Sequence, residues 1–525
     1  MAYSRFIVML LLTLSFNAFF AQLFIDFSSV NIAAACIVLA SSLAVLLYLH
    51  WTDAIQTHPL STFAIFGFCV STQLGALLVQ SATWTSLSLN LRQPIETFGT
   101  LALFQIIALA AHGMYRLFSN SASPARSSLV RGMLEKLGLY TTPTAGTLWI
   151  MGLFGFITFV FGSGGESVAS RVFQATTFLA WAPFLIAIYV FQQGTTYCNA
   201  KKNFVFLGLY AGLLTLLGMA ANARALILWG FMTIAMFAIV SAMRSARQVT
   251  ASHAAKIGIV AVVLGALSFP VTDLVTAMVL ARQSRGYASG AQMVAQTLHY
   301  FQQPQQLAAQ REKDKFTGIQ SRYDETYFAN PLIARLIETK FHDNALYFSS
   351  RLNAKDEEKM LDITGDFFWS TLPEPVLKAL EVHVDKKNLQ FSMGDYISHL
   401  GGAGDLGGYR TGSGFAQGIA IFGYFFPLMY LLVCPLLFLT QDVLSYRSSK
   451  GNVVVSALGM LGIWNLFQYG ISAESLQALF MGVVRGLPQK IVLFLVFFHL
   501  ARFSASLLGS LKDNSRQSKP EMLKP

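Results

Sequence analysis

The sequence predicts an all-α, polytopic integral membrane protein with about twelve transmembrane helices and one large helical extracytoplasmic loop. Of the 525 residues, 54% are hydrophobic and only 12% are charged, whereas soluble domains average about 25% charged residues. Apolar stretches of about 20 residues recur along the chain, which is the length that a helix needs to cross a hydrocarbon core of about 30 Å. The 44 phenylalanines and 40 glycines suit lipid-facing surfaces and close helix packing.

The apolar stretches predict the individual spans. They are 5–25, 29–50, 59–81, 95–117, 147–163, 171–192, 203–221, 224–243, 257–281, 416–440, 451–472 and 487–506. Residues 475–486 are expected to form a short interfacial or re-entrant piece. The first stretch is interpreted as a span rather than a signal peptide, because its apolar core is long and its cleavage-like end is poor. The four cysteines lie in or near spans without a CxxC pair, so we predict no disulfide framework, no metal site and no cofactor.

Lysines and arginines in the short loops predict the orientation, because cytoplasmic loops are enriched in these residues. Five basic segments fall on one side of a twelve-span topology, which places both termini in the cytoplasm. They are 116–136, 201–202, 244–256, 447–450 and the C-terminal tail. This topology divides the chain into a membrane domain of nine spans (1–282), an extracytoplasmic loop (283–415), three further spans (416–507) and a cytoplasmic tail (508–525). The net charge of +11 follows from this topology and is not taken to indicate nucleic-acid binding.

Six cations remain outside the loop and the cytoplasmic segments, at or near the extracytoplasmic face. They are Arg92, Arg171, Arg224, Arg282, Arg485 and Lys490. Cations on this disfavoured side, close to the bilayer boundary, favour an anionic ligand there. The loop itself is nearly neutral, with 14 Lys and Arg against 16 Asp and Glu.

Arg224, in "ANARAL" at the outer mouth of the eighth span, is the first candidate for the catalytic site. Its guanidinium fork can bind phosphate or pyrophosphate oxygens in two-pronged fashion. The alternative is an arginine that snorkels at a helix end. The candidate substrate-binding cations are Arg171, Arg282, Arg285, Arg410 and Arg485. For these the alternative is interfacial anchoring, with pairing to Glu166, Asp273 or Glu474.

The preferred catalytic base is His383, in "LEVHVDKK", with His299, His342 and His399 as alternatives. Histidine or a carboxylate can deprotonate an acceptor hydroxyl, although a solvated helix face explains most of the loop carboxylates. The stretch "GAGDLG" (402–407) matches a dinucleotide-binding pattern but lacks the preceding strand that this motif requires. P-loop, HExxH and GxSxG motifs are absent from the sequence. A secondary transporter needs no such motif and stays an alternative.

Three stretches carry a resemblance to a known family: "ANARALIL", "STLPEPVLKALEVHVDKK" (370–387) and "TGSGFAQGIAIFGYFFPLMY" (411–430). Over roughly residues 203–440 the chain resembles the Wzy-type oligosaccharide repeat-unit (O-antigen) polymerases and the related O-antigen ligases. It departs from them at Ala223, where the motif often has Ser, and at Arg410, near where ligases often have His. It also has Ala235 where an Arg-x10-Gly pattern would place Gly. The choice between polymerase and ligase therefore stays open.

The resemblance implies a glycosyltransferase that needs neither a metal nor a nucleotide. Its donor and acceptor would be glycans linked to polyprenyl pyrophosphate, such as undecaprenyl pyrophosphate, with Arg224 binding the donor pyrophosphate. It implies a location in the bacterial cytoplasmic (inner) membrane and contact with other polysaccharide-assembly proteins. The expected function is polymerisation of repeat units. The alternatives are a glycan ligase and a secondary transporter or flippase of an anionic or lipid-linked solute.

Overall fold

The computed structural model describes residues 3–121, 129–161, 173–245, 250, 269–284, 288–315, 323–328, 330, 332–372, 374–408, 410–447 and 453–517. Helix accounts for 79% of the structure. Among the described residues, nine helices are long and apolar enough to cross a bilayer. They are Tyr3–Ile25, Ser29–Trp51, Pro59–Ala82, Pro94–Ser119, Phe173–Gln193, Ala200–Ala220, Leu226–Arg244, Gly414–Asp442 and Leu476–Leu507. The predicted all-α class is confirmed, and the chain has the character of a multi-pass membrane protein.

The remaining described helices are shorter. They are Ala54–Thr57, Leu129–Lys136, Ala145–Phe161, Phe269–Ala281, Gly290–Phe301, Pro304–Lys315, Thr339–Ser349, Ala354–Trp369, Glu374–Ala379, Met393–Leu400, Ala457–Leu461 and Ile463–Tyr469. The described part of the chain has one sheet, in which Ser445–Arg447 pairs antiparallel with Val453–Val455. Of the predicted span 257–281, residues 257–268 lie outside the described residues.

Two predicted segments near the C-terminus differ in the structure. The stretch 451–472, expected to be one span, begins outside the described residues and continues as a strand and two short helices. The side chain of Ser456 caps the first of these helices by accepting from the N–H of Gly459 at 3.2 Å, and Gly462 separates the two. The stretch 475–486, expected to be a separate piece, is instead the first part of the helix Leu476–Leu507, with a π-helical turn at Gly482–Gly486.

The chain forms two compact units, each built from several stretches. The first unit takes Met1–Ser123, Val240–Asp442 and Asn465–Gly486; the second takes Pro124–Ile239, Val443–Trp464 and Leu487–Pro525. In the first unit, a β-carbon on Gly67 would lie 2.3 Å from the carbonyl oxygen of Phe467. Glycine is needed there because the two backbones approach so closely.

The third candidate span of the first unit is interrupted by the π-helical turn Val70–Leu74. A π-helical turn shifts the backbone hydrogen-bond pattern of a helix. The carbonyl oxygen of Ser71 accepts from the N–H of Glu338 at 2.7 Å, and that of Thr72 accepts from the hydroxyl of Thr339 at 2.7 Å. A segment from region 283–415 is therefore bonded directly to the backbone of a candidate span.

A closed polar cluster joins four helices at the end of the first unit away from this contact. Asp442 accepts from the hydroxyl of Ser61 at 2.6 Å and from that of Tyr115 at 3.2 Å. His112 Nε2 lies 2.9 Å from Ser61 Oγ, and His112 Nδ1 lies 2.7 Å from the hydroxyl of Tyr48. With Asp442 ionised, Ser61 donates to it, so Nε2 carries the imidazole proton and Nδ1 accepts from Tyr48.

The second unit packs around the helix Ala145–Phe161. Tyr210 donates its hydroxyl to the carbonyl oxygens of Gly152 and Ala180, at 2.9 and 2.8 Å. A β-carbon on Gly155 would lie 2.1 Å from the backbone nitrogen of Ala180. Small residues therefore let these backbones approach each other, as in other membrane helix pairs.

Candidate functional site

An open cavity of about 670 Å³ lies in the first unit, where region 283–415 provides most of the walls. Its lining residues come from three stretches of sequence. They are Arg282, Tyr323, Asp324, Glu325, Gly402, Ala403, Gly404, Gly408 and Arg410. Two of the arginines predicted to bind an anion, Arg282 and Arg410, are thus brought to one cavity from positions 128 residues apart in sequence (410 − 282).

The backbone of Arg410 is held on both sides. Its N–H donates to Asp395 Oδ1 at 3.2 Å, and its carbonyl oxygen accepts from Ser392 Oγ at 2.8 Å. A β-carbon on Gly394 would lie 2.2 Å from that carbonyl oxygen, so no larger residue fits there. The position of Arg410 is therefore set by the start of the helix Met393–Leu400.

The guanidinium of Arg410 keeps an unused donor. Its Cζ lies 5.3 Å from the centroid of the Tyr323 ring, an attractive cation–π distance. Its Nη1 is buried and has no hydrogen-bond partner among the described residues. A buried donor that stays unpaired costs free energy, so an oxygen ligand bound at this nitrogen would recover hydrogen-bond energy.

The glycine-rich stretch 401–408 forms one wall of the cavity. Gly402, Gly404 and Gly407 have φ of +87°, +112° and +95°, which residues with a β-carbon rarely adopt. A β-carbon on Gly408 would lie 3.0 Å from Arg410 Nε. The stretch 402–407, which matches a nucleotide-binding pattern in sequence, therefore lets the backbone lie close to the Arg410 side chain.

Two acidic residues, Asp324 and Glu325, line the cavity together with the two arginines. Glu325 is exposed, and the backbone of Asp324 is fixed because its carbonyl oxygen accepts from Asn344 Nδ2 at 2.6 Å. Within the described part of the chain, neither carboxylate forms an ion pair with Arg282 or Arg410. The cavity thus presents two guanidinium groups and two carboxylates that are available to a ligand.

The helix Thr339–Ser349 anchors the cavity wall to the candidate spans. The Asp343 carboxylate accepts, at 2.9–3.1 Å, from the N–H groups of Arg92 and Gln93, Thr97 Oγ1 and Lys340 Nζ. The donors of Arg92, Gln93 and Thr97 lie at the start of the helix Pro94–Ser121, where a negative charge is favoured. Burial lowers the pKa of Lys340, while Asp343 beside it opposes the shift.

The predicted histidines lie outside the cavity lining. His383 is exposed on the surface. His342 is fully buried and bonds Ser413 Oγ through Nδ1 at 2.8 Å. Burial lowers its pKa to about 3, so the imidazole stays neutral.

His399 bonds the carbonyl oxygen of Gly404 at 2.9 Å and supports the glycine-rich wall. His299 bonds Gln303 at 2.7 Å on an exposed helix.

The other predicted arginines are distributed differently. Arg224 is the first residue of the helix Arg224–Arg244, is half-buried, and belongs to the second unit. Arg485 is exposed in the first unit and donates Nη1 to the carbonyl oxygen of Thr371 at 3.4 Å. Arg171 and Arg285 lie outside the described residues.

The sequence analysis missed the cavity residues Tyr323, Asp324 and Glu325. They form the run "YDE" in a stretch without helix, and a loop is a common place for binding residues. Burial raises the pKa of Tyr323 above its usual value, so the phenol remains neutral beside Arg410.

Comparison with protein-family models, with curated proteins and with solved structures found no match for this chain.

Proposed function

We propose that this protein is a membrane glycosyltransferase that polymerises oligosaccharide repeat units carried on polyprenyl pyrophosphate. The observation that carries the proposal is the cavity that holds Arg282 and Arg410 together with Asp324 and Glu325. Glycosyl transfer from a pyrophosphate carrier needs both kinds of group, because one oxygen gains negative charge while another loses a proton. The resemblance to Wzy-type polymerases supports the same reaction.

The arginines would bind the pyrophosphate of the donor. Negative charge develops on the leaving phosphate oxygen as the anomeric carbon–oxygen bond breaks, and fixed guanidinium donors stabilise that charge. The unpaired Nη1 of Arg410 is already oriented by its backbone contacts and by Tyr323. Preorganised donors of this kind cost little reorganisation when the bond breaks.

The carboxylates would act on the acceptor. As the acceptor hydroxyl oxygen bonds the anomeric carbon, its proton passes to Glu325 or Asp324, and the carrier pyrophosphate leaves with the bonding electron pair. Glu325 is the better placed of the two, because it is exposed and Asp324 Oδ1 accepts from the N–H of Thr326 at 3.0 Å. This assignment replaces His383, which does not line the cavity.

The proposed setting is the bacterial inner membrane, with twelve spans, both termini in the cytoplasm and region 283–415 outside. The nine candidate spans of the described residues and the basic segments of the sequence support it. Arg224 stays the proposed donor-binding arginine of the second unit. Arg224 belongs to the second unit and the cavity arginines to the first, so separate variants test them.

The decisive experiment is a gel of surface and carrier-linked glycan from a strain that lacks the gene, complemented with variants. Without the gene, we expect the polymer ladder to collapse to single repeats. Arg410→Ala should fail to restore the ladder, with at least about a 100-fold loss of polymer, although the protein inserts normally. Arg351→Ala is the matched control, because Arg351 is an exposed arginine of the same region that does not line the cavity.

Other outcomes would change the assignment. Full-length polymer trapped on the carrier lipid would indicate a ligase. An unchanged glycan pattern in the deletion strain would exclude glycan assembly and favour a transporter or flippase. A normal ladder from correctly inserted Arg410→Ala protein would contradict the cavity as the site, and the same result with Arg224→Ala would remove Arg224 from the proposal.

A further inference from the structure

One stretch of region 283–415 exposes apolar side chains beside the start of a candidate span. It comprises the end of the helix Ala354–Trp369, the turn that follows and the helix Glu374–Ala379. Trp369, Val376 and Leu380 are 44%, 40% and 55% exposed. We call residues 369–372 and 374–380 the apolar turn.

A buried amide fixes the helix before the apolar turn against two candidate spans. Gln417, fully buried near the start of Gly414–Asp442, donates from Nε2 to Thr364 Oγ1 at 2.7 Å and to Gln477 Oε1 at 3.2 Å. Its Oε1 accepts from the N–H of Leu476 at 2.9 Å. These three contacts leave little freedom in how the loop helix meets the membrane-spanning helices.

The loop helix then descends along the span Leu476–Leu507. Thr364 and Gln477 share the amide of Gln417. Further along, the ring centroid of Phe368 lies 4.9 Å from that of Phe480, and the carbonyl oxygen of Thr371 accepts from Arg485 Nη1. Partners on the span advance from 477 to 485, which corresponds to roughly 12 Å along a helix that rises 1.5 Å per residue. Of these contacts, the one made by Thr371, in the apolar turn, lies furthest along the span.

The length and charge of the span locate this contact relative to a bilayer. The span has 32 residues, or about 48 Å of helix, which exceeds a hydrocarbon core of about 30 Å. A charged side chain is unfavourable inside that core. This applies to Arg485 and to Lys490, which is five residues further along the span, so Arg485 lies within the headgroup layer. The turn bonded to Arg485 therefore lies in the same layer.

We propose that the apolar turn is an interfacial membrane anchor whose occupant is the lipid bilayer. Trp369 lies at the headgroup level, where tryptophan is enriched, and Val376 and Leu380 enter the acyl boundary. The apolar surface is continuous with Phe480 and Val484 of the span, which are 42% and 55% exposed. The proposal is independent of the reaction that the protein catalyses.

The test is site-specific labelling in nanodiscs of phosphatidylcholine. The two accessible cysteines, Cys36 and Cys198, are replaced with serine, while the buried pair is kept. Val376→Cys and Leu380→Cys are then labelled with nitrobenzoxadiazole. Glu358→Cys is the matched control, because Glu358 is exposed on the same loop helix before Thr364.

Both apolar positions should show blue-shifted emission and at least twofold stronger quenching by brominated phosphatidylcholine than the control. Quenching equal to the control would overturn the proposal. Blue-shifted emission without lipid quenching, together with the particle mass of a dimer, would also overturn it by identifying a second copy as the occupant.

In unlabelled protein, Trp369→Phe should reduce the quenching of the fluorescence of the seven tryptophans by the same lipid. Undiminished quenching would count against the anchor.

Discussion

Both ends of the first unit bury polar side chains, but the two ends differ in whether those side chains have hydrogen-bond partners. At the closed polar cluster, Asp442, Ser61 and His112 satisfy one another, and both imidazole nitrogens have a partner. At the cavity, Arg410 Nη1 is buried without a partner among the described residues. Burial alone therefore does not distinguish the two ends, and the proposed function rests on the end where an unused donor of Arg410 lies beside an open cavity.

The largest expected effect tests the closed cluster as a structural element. Asp442→Ala removes the acceptor of Ser61 and Tyr115 and leaves their donors buried, so we expect a loss of at least about 3 kcal/mol of stability. Thermal unfolding of purified protein in detergent measures it. Asp53→Ala is the control, because Asp53 is 66% exposed in its pair with Arg116 and such pairs contribute under about 1 kcal/mol. Equal melting of both variants would mean that the cluster carries no stability.

The second prediction concerns charge at the cavity end of the unit. Burial raises the pKa of Glu338 to about 8, and nearby Glu474 adds to the shift, while a hydrogen bond from Tyr469 and the charge of Arg335 oppose it. Since the folded state holds its proton more tightly than the unfolded state, this contribution is complete below pH 4.5. It is lost as pH rises through about 8.

Glu338→Gln should remove that dependence. The difference in stability between wild type and variant should change by up to about 1.4 kcal/mol per pH unit between pH 5 and 8, with the variant relatively more stable at pH 8. Melting curves of both proteins across this range measure the difference directly. Parallel curves would show that Glu338 does not hold a proton in the folded state.

A third prediction asks whether the cavity needs a guanidinium or only a positive charge. Arg410→Lys keeps the charge but loses the two-pronged fork, so we expect roughly a tenfold loss of polymer, about 1.4 kcal/mol. The melting temperature should stay near wild type. Arg351→Lys is the control. Full activity of Arg410→Lys would reduce the role of Arg410 to general electrostatic attraction.

The smallest effect concerns the glycine-rich wall. The β-carbon of Gly408→Ala would lie 3.0 Å from Arg410 Nε and 3.3 Å from Asp395 Oδ1. The flexible arginine can shift, so we expect only a severalfold loss of polymer. Gly365→Ala is the control, because nothing lies within 4 Å of its β-carbon. Losses of the same size in both would argue against a specific effect on Arg410.

Hydrophobic length located most helices from the sequence, because the bilayer imposes it directly. The stretch 451–472 differed because its valines pair as a strand and its glycines interrupt the helix, although its mean composition is apolar. The sequence predicted only that Arg282 and Arg410 lie on the same side of the membrane. It did not predict that they line one cavity. Their proximity depends on how region 283–415 folds back.

The docking of Thr339–Ser349 could not be predicted from its composition. Five of its first six residues are polar or charged, which is typical of a solvated face, yet Lys340, His342 and Asp343 are buried. Lys340 donates to the backbone of Asn90, His342 bonds the hydroxyl of Ser413, and Asp343 accepts mainly from N–H groups at a helix start. These partners are distant in sequence, so the periodicity of the helix does not reveal them. That His383 does not line the cavity while Asp324 and Glu325 do likewise depends on how region 283–415 folds.

The π-helical turn in the third candidate span has a consequence for how the chain is made. Thr339 completes the hydrogen bonding of Thr72, which is 267 residues earlier in the sequence. At roughly 5–20 residues per second, the ribosome reaches Thr339 about 13–53 s after Thr72. The span Pro59–Ala82 is therefore synthesised well before this donor exists, and its contact with Thr339 forms only after the later segment has been made.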